Sequence, residues 1–187
     1  MIWTIPNILT IIRLLAAPGL ALMFLYFDRP YADWFALLLF LLASITDWFD
    51  GYLARIWRQE TKLGAMLDPI ADKLLIAAVL LALASVQTSG WLFLMPALII
   101  LIREFMISGL REYLAKQNVS APVTKLAKWK TTAQILALGF LMGAPGFPAF
   151  PYAHEIGLIL LWIAAILTVQ TGSGYVRGAL RHVNSLR

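Results

Sequence analysis

Trp34-Phe35-Ala36-Leu37-Leu38-Leu39-Phe40-Leu41-Leu42-Ala43-Ser44-Ile45-Thr46-Asp47-Trp48-Phe49-Asp50-Gly51 is an apolar run that acquires two carboxylates without ceasing to be apolar. Its length, continued to Ile56, suits a helix crossing a bilayer, which takes about 20 residues. A carboxylate in such a helix costs several kcal/mol unless it is paired, hydrated or bound to a cation, so Asp47 and Asp50 read as functional. On a helix Asp47, Asp50, Gly51 and Ala54 fall at offsets of 3, 4 and 7 and share one face.

The rest of the 187-residue chain agrees with a membrane setting. It is 61% hydrophobic and only 13% charged, too little charge for the exterior of a soluble domain of this length. Six apolar segments stand out: Asn7–Phe27, Trp34–Ile56, Pro69–Val86, Trp91–Leu110, Thr131–Ala144 and Ile156–Gly178. The fifth is short and is expected to extend at its inner end. Asp28-Arg29-Pro30, Gln87-Thr88-Ser89-Gly90 and the Gly/Pro-rich Gly143–Pro151 separate spans as turns. The first segment lacks a small-x-small cleavage pattern after it and reads as a retained helix. The expected architecture is all-α, a polytopic membrane protein of six transmembrane helices forming a single domain over residues 1–187.

Basic residues set the orientation. With the N-terminus inside, Arg55, Arg58, Lys62 and Lys73 fall at or near the first inner loop. Arg111, Lys116, Lys125, Lys128 and Lys130 fall at the second, and Arg177, Arg181 and Arg187 at the inner tail. Among the outer loops only Arg29 is basic, so both termini are expected on the cytoplasmic side. Trp3, Trp34, Trp91 and Trp129 suit interfacial anchors. The net charge of +5 lies beside apolar segments, which favours lipid phosphates or a phosphorylated substrate over nucleic acid. There is no cysteine, and His154 and His182 match no common zinc spacing.

Downstream of Asp50, Gly64, Asp68 and Asp72 recur at offsets of four, again one helix face if the third helix begins near Gly64. Two antiparallel helices joined by a short loop would bring Asp47, Asp50, Asp68 and Asp72 together. Four such carboxylates repel one another, and Arg55 alone cannot neutralise them. Oxygen-only ligands suit Mg²⁺ or Mn²⁺, and a pair of such ions is a common solution for displacement at phosphorus. Gly51 and Gly64 remove bulk where a nucleotide could approach the backbone. The bland alternative is a set of helix-end carboxylates in surface salt bridges. A cation transporter would also use intramembrane aspartates, but here they lie towards the inner helix ends beside basic residues, and no internal repeat is evident.

Asp47-x-x-Asp50-Gly51-x-x-Ala54-Arg55, eight residues, then Gly64-x-x-x-Asp68-x-x-x-Asp72 resembles the complete signature of the CDP-alcohol phosphotransferases, with every fixed position filled. The resemblance implies a homodimer with its site open to the cytoplasmic leaflet. It implies two divalent cations, Mg²⁺ or Mn²⁺, on Asp47, Asp50, Asp68 and Asp72, with Asp72 as base. Asp47, Asp50, Gly51, Ala54, Arg55 and Gly64 would surround the CDP-lipid.

A second, basic constellation bears on the acceptor alcohol. Arg103 and Arg111 lie eight residues apart on one broad face of the fourth helix, and Lys128-Trp129-Lys130-Thr131-Thr132 opens the fifth. Two arginines and a lysine in one pocket suit a phosphomonoester, whereas a positive-inside role alone would leave them snorkelling. Asn7, Thr10 and Arg13 form a polar stripe at offsets of three on the first helix. These segments resemble one bacterial branch of the same family. That likeness implies transfer from CDP-diacylglycerol to sn-glycerol 3-phosphate, giving CMP and phosphatidylglycerophosphate in acidic phospholipid synthesis at the bacterial plasma (inner) membrane. Arg103, Arg111 and Lys130, with Thr10 and Arg13, are then the candidates for the acceptor phosphate. Inositol phosphate would use the same charges; serine would leave them without a dianion.

Overall fold

The computed structural model describes the backbone of residues 4–56, 61–117 and 125–185, and the side chains of 4–47, 56, 61–117 and 126–179. Trp3, Arg58 and Arg187 lie outside the described residues. For Asp50, Gly51, Ala54, Arg55, Lys125, Arg181 and His182 only the backbone is described.

The described chain is all-helical: α1 (Ile5–Tyr26), α2 (Tyr31–Ile56), α3 (Lys62–Val86), α4 (Trp91–Lys116), α5 (Lys125–Gly143) and α6 (Ala153–Ser185), with one 3-10 turn at Ala144–Gly146. Every apolar segment read from the sequence is a helix, and most run past the apolar stretch into polar flanks. The reason is that Lys, Arg, Glu and Gln propagate a helix about as well as Leu does, while hydropathy marks only the part facing lipid. Among the described residues α1, α3, α4 and α6 are long and apolar enough to cross a membrane. The 19-residue α5 opens with Lys125, Lys128 and Lys130, and the inner end of α2 includes side chains outside the description.

Helix starts follow local chemistry. Thr4, in an extended conformation, caps α1 by accepting from the Asn7 amide at 3.4 Å, and Pro6 occupies the first turn, where no amide donor is needed. Thr61 does the same for α3, accepting from the Gly64 amide at 3.0 Å. Gly90 precedes α4 at φ +54°, in the left-handed region that favours glycine.

The contacts resolve two compact units, Met1–Val86 with Leu141–Ala153, and Gln87–Phe140 with His154–Arg187. In the first, α1 packs on both α2 and α3. Small residues are prominent in its core: Ala16 and Ala17 of α1, Ala32, Ala36 and Ala43 of α2, and Ala71, Ala77 and Ala82 of α3 are buried. Small side chains let helices approach closely where no hydrophobic drive separates protein from lipid. Large side chains fall on both sides: Leu20, Phe40, Leu80 and Leu83 are buried, while Leu15, Leu25 and Leu81 are 66%, 71% and 64% exposed. An apolar exterior of this extent is what a lipid solvent selects.

Arg29, in the turn between α1 and α2, forks onto buried Asp33 through two 2.8 Å bonds and donates to the Val86 carbonyl at 3.1 Å. It ties the start of α2 to the end of α3. Trp34 packs edge-on against Phe147 with centroids 4.6 Å apart, and its ring would lie 2.2 Å from a Cβ at Gly146, so that turn requires glycine. In the second unit Trp162 donates to the Leu92 carbonyl at 2.9 Å, and Ser89 pairs with His154 at 2.6 Å, binding α6 to α4 and its approach.

Candidate active site

The polar stripe of α1 is the organising feature of the first unit. Asn7, Thr10 and Arg13 are at most 2% exposed, although they sit on an otherwise apolar helix. Each finds a partner on a neighbouring helix or its approach. Asn7 Oδ1 accepts from the Thr61 hydroxyl at 2.8 Å. Thr10 Oγ1 donates to Asp68 Oδ1 at 2.8 Å, with the Pro6 carbonyl 3.1 Å away. The Arg13 guanidinium donates through one nitrogen to Asp47 Oδ1 and to Asp72 Oδ1, the latter at 2.7 Å. Burial of a cation this deep is tolerable only because two carboxylates meet it.

The structure therefore brings Asp47, Asp68 and Asp72 to the same face of α1. Their far sides are open: the Asp47 and Asp72 side chains are 46% and 51% exposed, against 0% for Arg13. Arg13 meets the Oδ1 atom of each. Thr10 and Arg13, read in the sequence with the acceptor phosphate, are placed here with the aspartates. Gly64 also lies here, and a Cβ on it would stand 2.7 Å from Asn7 Oδ1. The space it frees is taken by α1, so this glycine has a packing reason of its own.

Whether these residues suit divalent cations can be judged from their chemistry. The open donors are all carboxylate oxygens, the hard ligands that Mg²⁺ and Mn²⁺ take, and three carboxylates outnumber one guanidinium. Among the described residues no three acidic or imidazole groups enclose a metal position by themselves. Asp50, the fourth of the set, contributes a side chain outside that description. The donor set fits a cation shared with a phosphate ligand or water.

The second unit holds the opposite arrangement. Arg103 of α4 is nearly buried, and its guanidinium donates to the Thr168 carbonyl at 3.1 Å and the Thr171 hydroxyl at 2.9 Å, both on α6. Gly172 makes room for it, since a Cβ there would lie 3.2 Å from Arg103 Nε. Lys130 of α5, 8% exposed, donates to Glu104 Oε1, which also lies 3.5 Å from Arg103. Arg111 is exposed instead, with its guanidinium 5.9 Å from the Tyr175 ring centroid. The structure thus brings Arg103 and Lys130 together and gives Arg111 a different neighbour.

Sequence reasoning assigned no role to Thr61, Glu104, Thr168 or Thr171. Thr61 could have been found as a cap three residues before Gly64. Glu104 could have been found by the argument applied to Asp47, an acid within an apolar span. The two threonines carry no comparable signal.

A family model described as CDP-alcohol phosphatidyltransferase matches residues 3–170. Similar proteins include the CDP-diacylglycerol--glycerol-3-phosphate 3-phosphatidyltransferase of Cereibacter sphaeroides, 47% identical over 217 aligned residues and 98% of each chain. The protein of the same name from Rickettsia bellii is 47% identical over 179 residues, covering 95% of this chain and 96% of that one. The one from Haemophilus influenzae is 40% identical over 181 residues, covering 96% and 95%.

Proposed function

The chain belongs to the CDP-alcohol phosphatidyltransferase family, and from that premise we propose how its two polar clusters divide the reaction. It is a membrane transferase of phospholipid synthesis that moves the phosphatidyl group of CDP-diacylglycerol to glycerol 3-phosphate, giving phosphatidylglycerophosphate and CMP. The observation that carries this is near-full-length identity to the enzymes of that name, with every position of the aspartate signature filled.

In the first unit, Asp47, Asp50, Asp68 and Asp72 would hold two divalent cations, Mg²⁺ or Mn²⁺, which when bound supply positive charge to the pyrophosphate of the CDP-lipid and to the leaving CMP. By the family resemblance, Gly51, Ala54, Arg55 and Gly64 would border the CDP-lipid. Asp72, hydrogen-bonded by Arg13 and about half exposed, would take the proton from the acceptor hydroxyl. The hydroxyl oxygen then bonds to the phosphorus bearing diacylglycerol, and the bond from that phosphorus to CMP breaks. Base assistance of this kind is worth about 10²–10⁴-fold, and orientation with electrostatics supplies the rest. In the second unit, Arg103 and Lys130, with Arg111 nearer the surface, meet the acceptor phosphate by charge-assisted hydrogen bonds.

The same reading gives six membrane spans, both termini and the site on the cytoplasmic side of a bacterial plasma membrane, and a homodimer. The positive-inside bias supports the orientation. Purified protein with CDP-diacylglycerol and Mg²⁺ or Mn²⁺ should release CMP on addition of glycerol 3-phosphate. Release with inositol phosphate or serine, and none with glycerol 3-phosphate, would overturn the acceptor.

A further inference from the structure

Three helices of the second unit carry buried or half-buried polar residues that border buried apolar ones. On α4, Ile100 is fully buried one turn before Arg103; on α6, Leu161, Ala164 and Ala165 are buried just before Thr168; on α5, Ala137 and Leu138 are buried just after Gln134. The bonds from Arg103 to Thr168 and from Lys130 to Glu104 tie these stretches together. The result is a polar layer resting on an apolar floor.

Among the described residues, two groups in that layer lack partners. Gln134 is 3% exposed and its side-chain oxygen meets no donor; Thr168 is 0% exposed and its hydroxyl meets no partner. Gln134 follows Lys130 by one turn on the same face of α5, ~6 Å along the axis. Thr168 is the residue whose carbonyl receives Arg103. Buried polar atoms are nearly always satisfied, and an orphan acceptor beside an anion-binding cluster calls for a donor brought by the ligand.

Resting on the assignment of glycerol 3-phosphate as acceptor, we propose that Gln134, assisted by Thr168, binds the secondary hydroxyl of the acceptor and sets the preference for a glycerol backbone. With the phosphate on Arg103 and Lys130, the hydroxyl on the central carbon donates to Gln134 Oε1 and accepts from Thr168 Oγ1. An alcohol phosphate without that hydroxyl leaves both groups unpaired, and a site built to pair a hydroxyl rejects the analogue lacking it.

The test compares glycerol 3-phosphate with 3-hydroxypropyl phosphate, which keeps the phosphate and the primary hydroxyl but lacks the secondary one. Wild-type protein should favour glycerol 3-phosphate in kcat/KM by about tenfold or more. Gln134→Met should reduce that preference to within about threefold by lowering only the glycerol 3-phosphate value, and hydroxypropyl phosphate turnover reports that the variant is folded. Thr168→Val should shrink the preference in the same direction, by less. Equal loss on both acceptors, or an unchanged preference in both variants, would overturn the proposal by making these residues structural. Wild-type turnover of inositol phosphate with neither glycerol-type acceptor active would instead overturn the acceptor assignment, and this proposal with it.

Discussion

The two units carry mirror-image ion clusters. In the first, one buried guanidinium, Arg13, is set among Asp47, Asp68 and Asp72; in the second, one carboxylate, Glu104, is set between Lys130 and Arg103. Among the described side chains, three carboxylates against one guanidinium leave a formal excess of two negative charges. Two cations against one carboxylate leave an excess of one positive charge. Each cluster has enough counter-charge to exist within a low-dielectric bundle, and each keeps an excess of one sign among the described side chains. What the contrast teaches is that the single opposite charge marks each cluster as built, and the excess matches the proposed ligands: cations for one cluster, a phosphate for the other.

That comparison can be broken in several ways. The largest effect is expected at the base. Asp72→Asn should lower kcat by about 10³-fold while CDP-lipid binding, measured by retention of labelled CDP-diacylglycerol, changes little. Near-wild-type turnover would remove Asp72 from proton transfer. Next comes the counter-ion of the acidic cluster. Arg13→Gln removes the guanidinium that bridges α2 and α3, and should reduce stability by about 1–3 kcal/mol, the lower end being favoured by the half-exposed carboxylates. Thermal unfolding in detergent should show the loss without divalent ions and recovery when Mg²⁺ is added, with Arg13→Lys intermediate. A loss that Mg²⁺ does not repair would mean that Arg13 holds the helices and not the charge balance.

A smaller effect sharpens the basic side. Arg103→Ala should raise the KM for glycerol 3-phosphate by about tenfold or more, whereas Arg111→Ala should change it by less than about threefold, because Arg111 is exposed beside Tyr175. The reverse order would move the phosphate site from Glu104 to the end of α4.

Much of this was legible in the sequence. All six helices follow from hydropathy and turn residues, and the buried stripe Asn7, Thr10, Arg13 follows from its offsets. Periodicity gives a face, however, and not the neighbour that face meets. It therefore could not place Arg13 on Asp47 and Asp72, nor Asn7 against Gly64, whose missing side chain reads equally well as room for a nucleotide or for a helix. Glu104 escaped because a single acid next to an arginine looks like local pairing, and only the fold brings Lys130 to it from α5. The grouping into two units depends on packing of segments far apart in the chain, which spacing does not record.

The division of labour between the clusters is tested most directly by one matrix of initial rates, varying glycerol 3-phosphate against Mn²⁺ for wild type, Asp68→Asn and Lys130→Ala. Asp68→Asn should raise the Mn²⁺ concentration needed for half-maximal rate and leave the glycerol 3-phosphate KM near its wild-type value. Lys130→Ala should do the opposite. If both variants moved both constants together, or each moved the other's, the acidic and basic clusters would not serve separate ligands, and the account would fail.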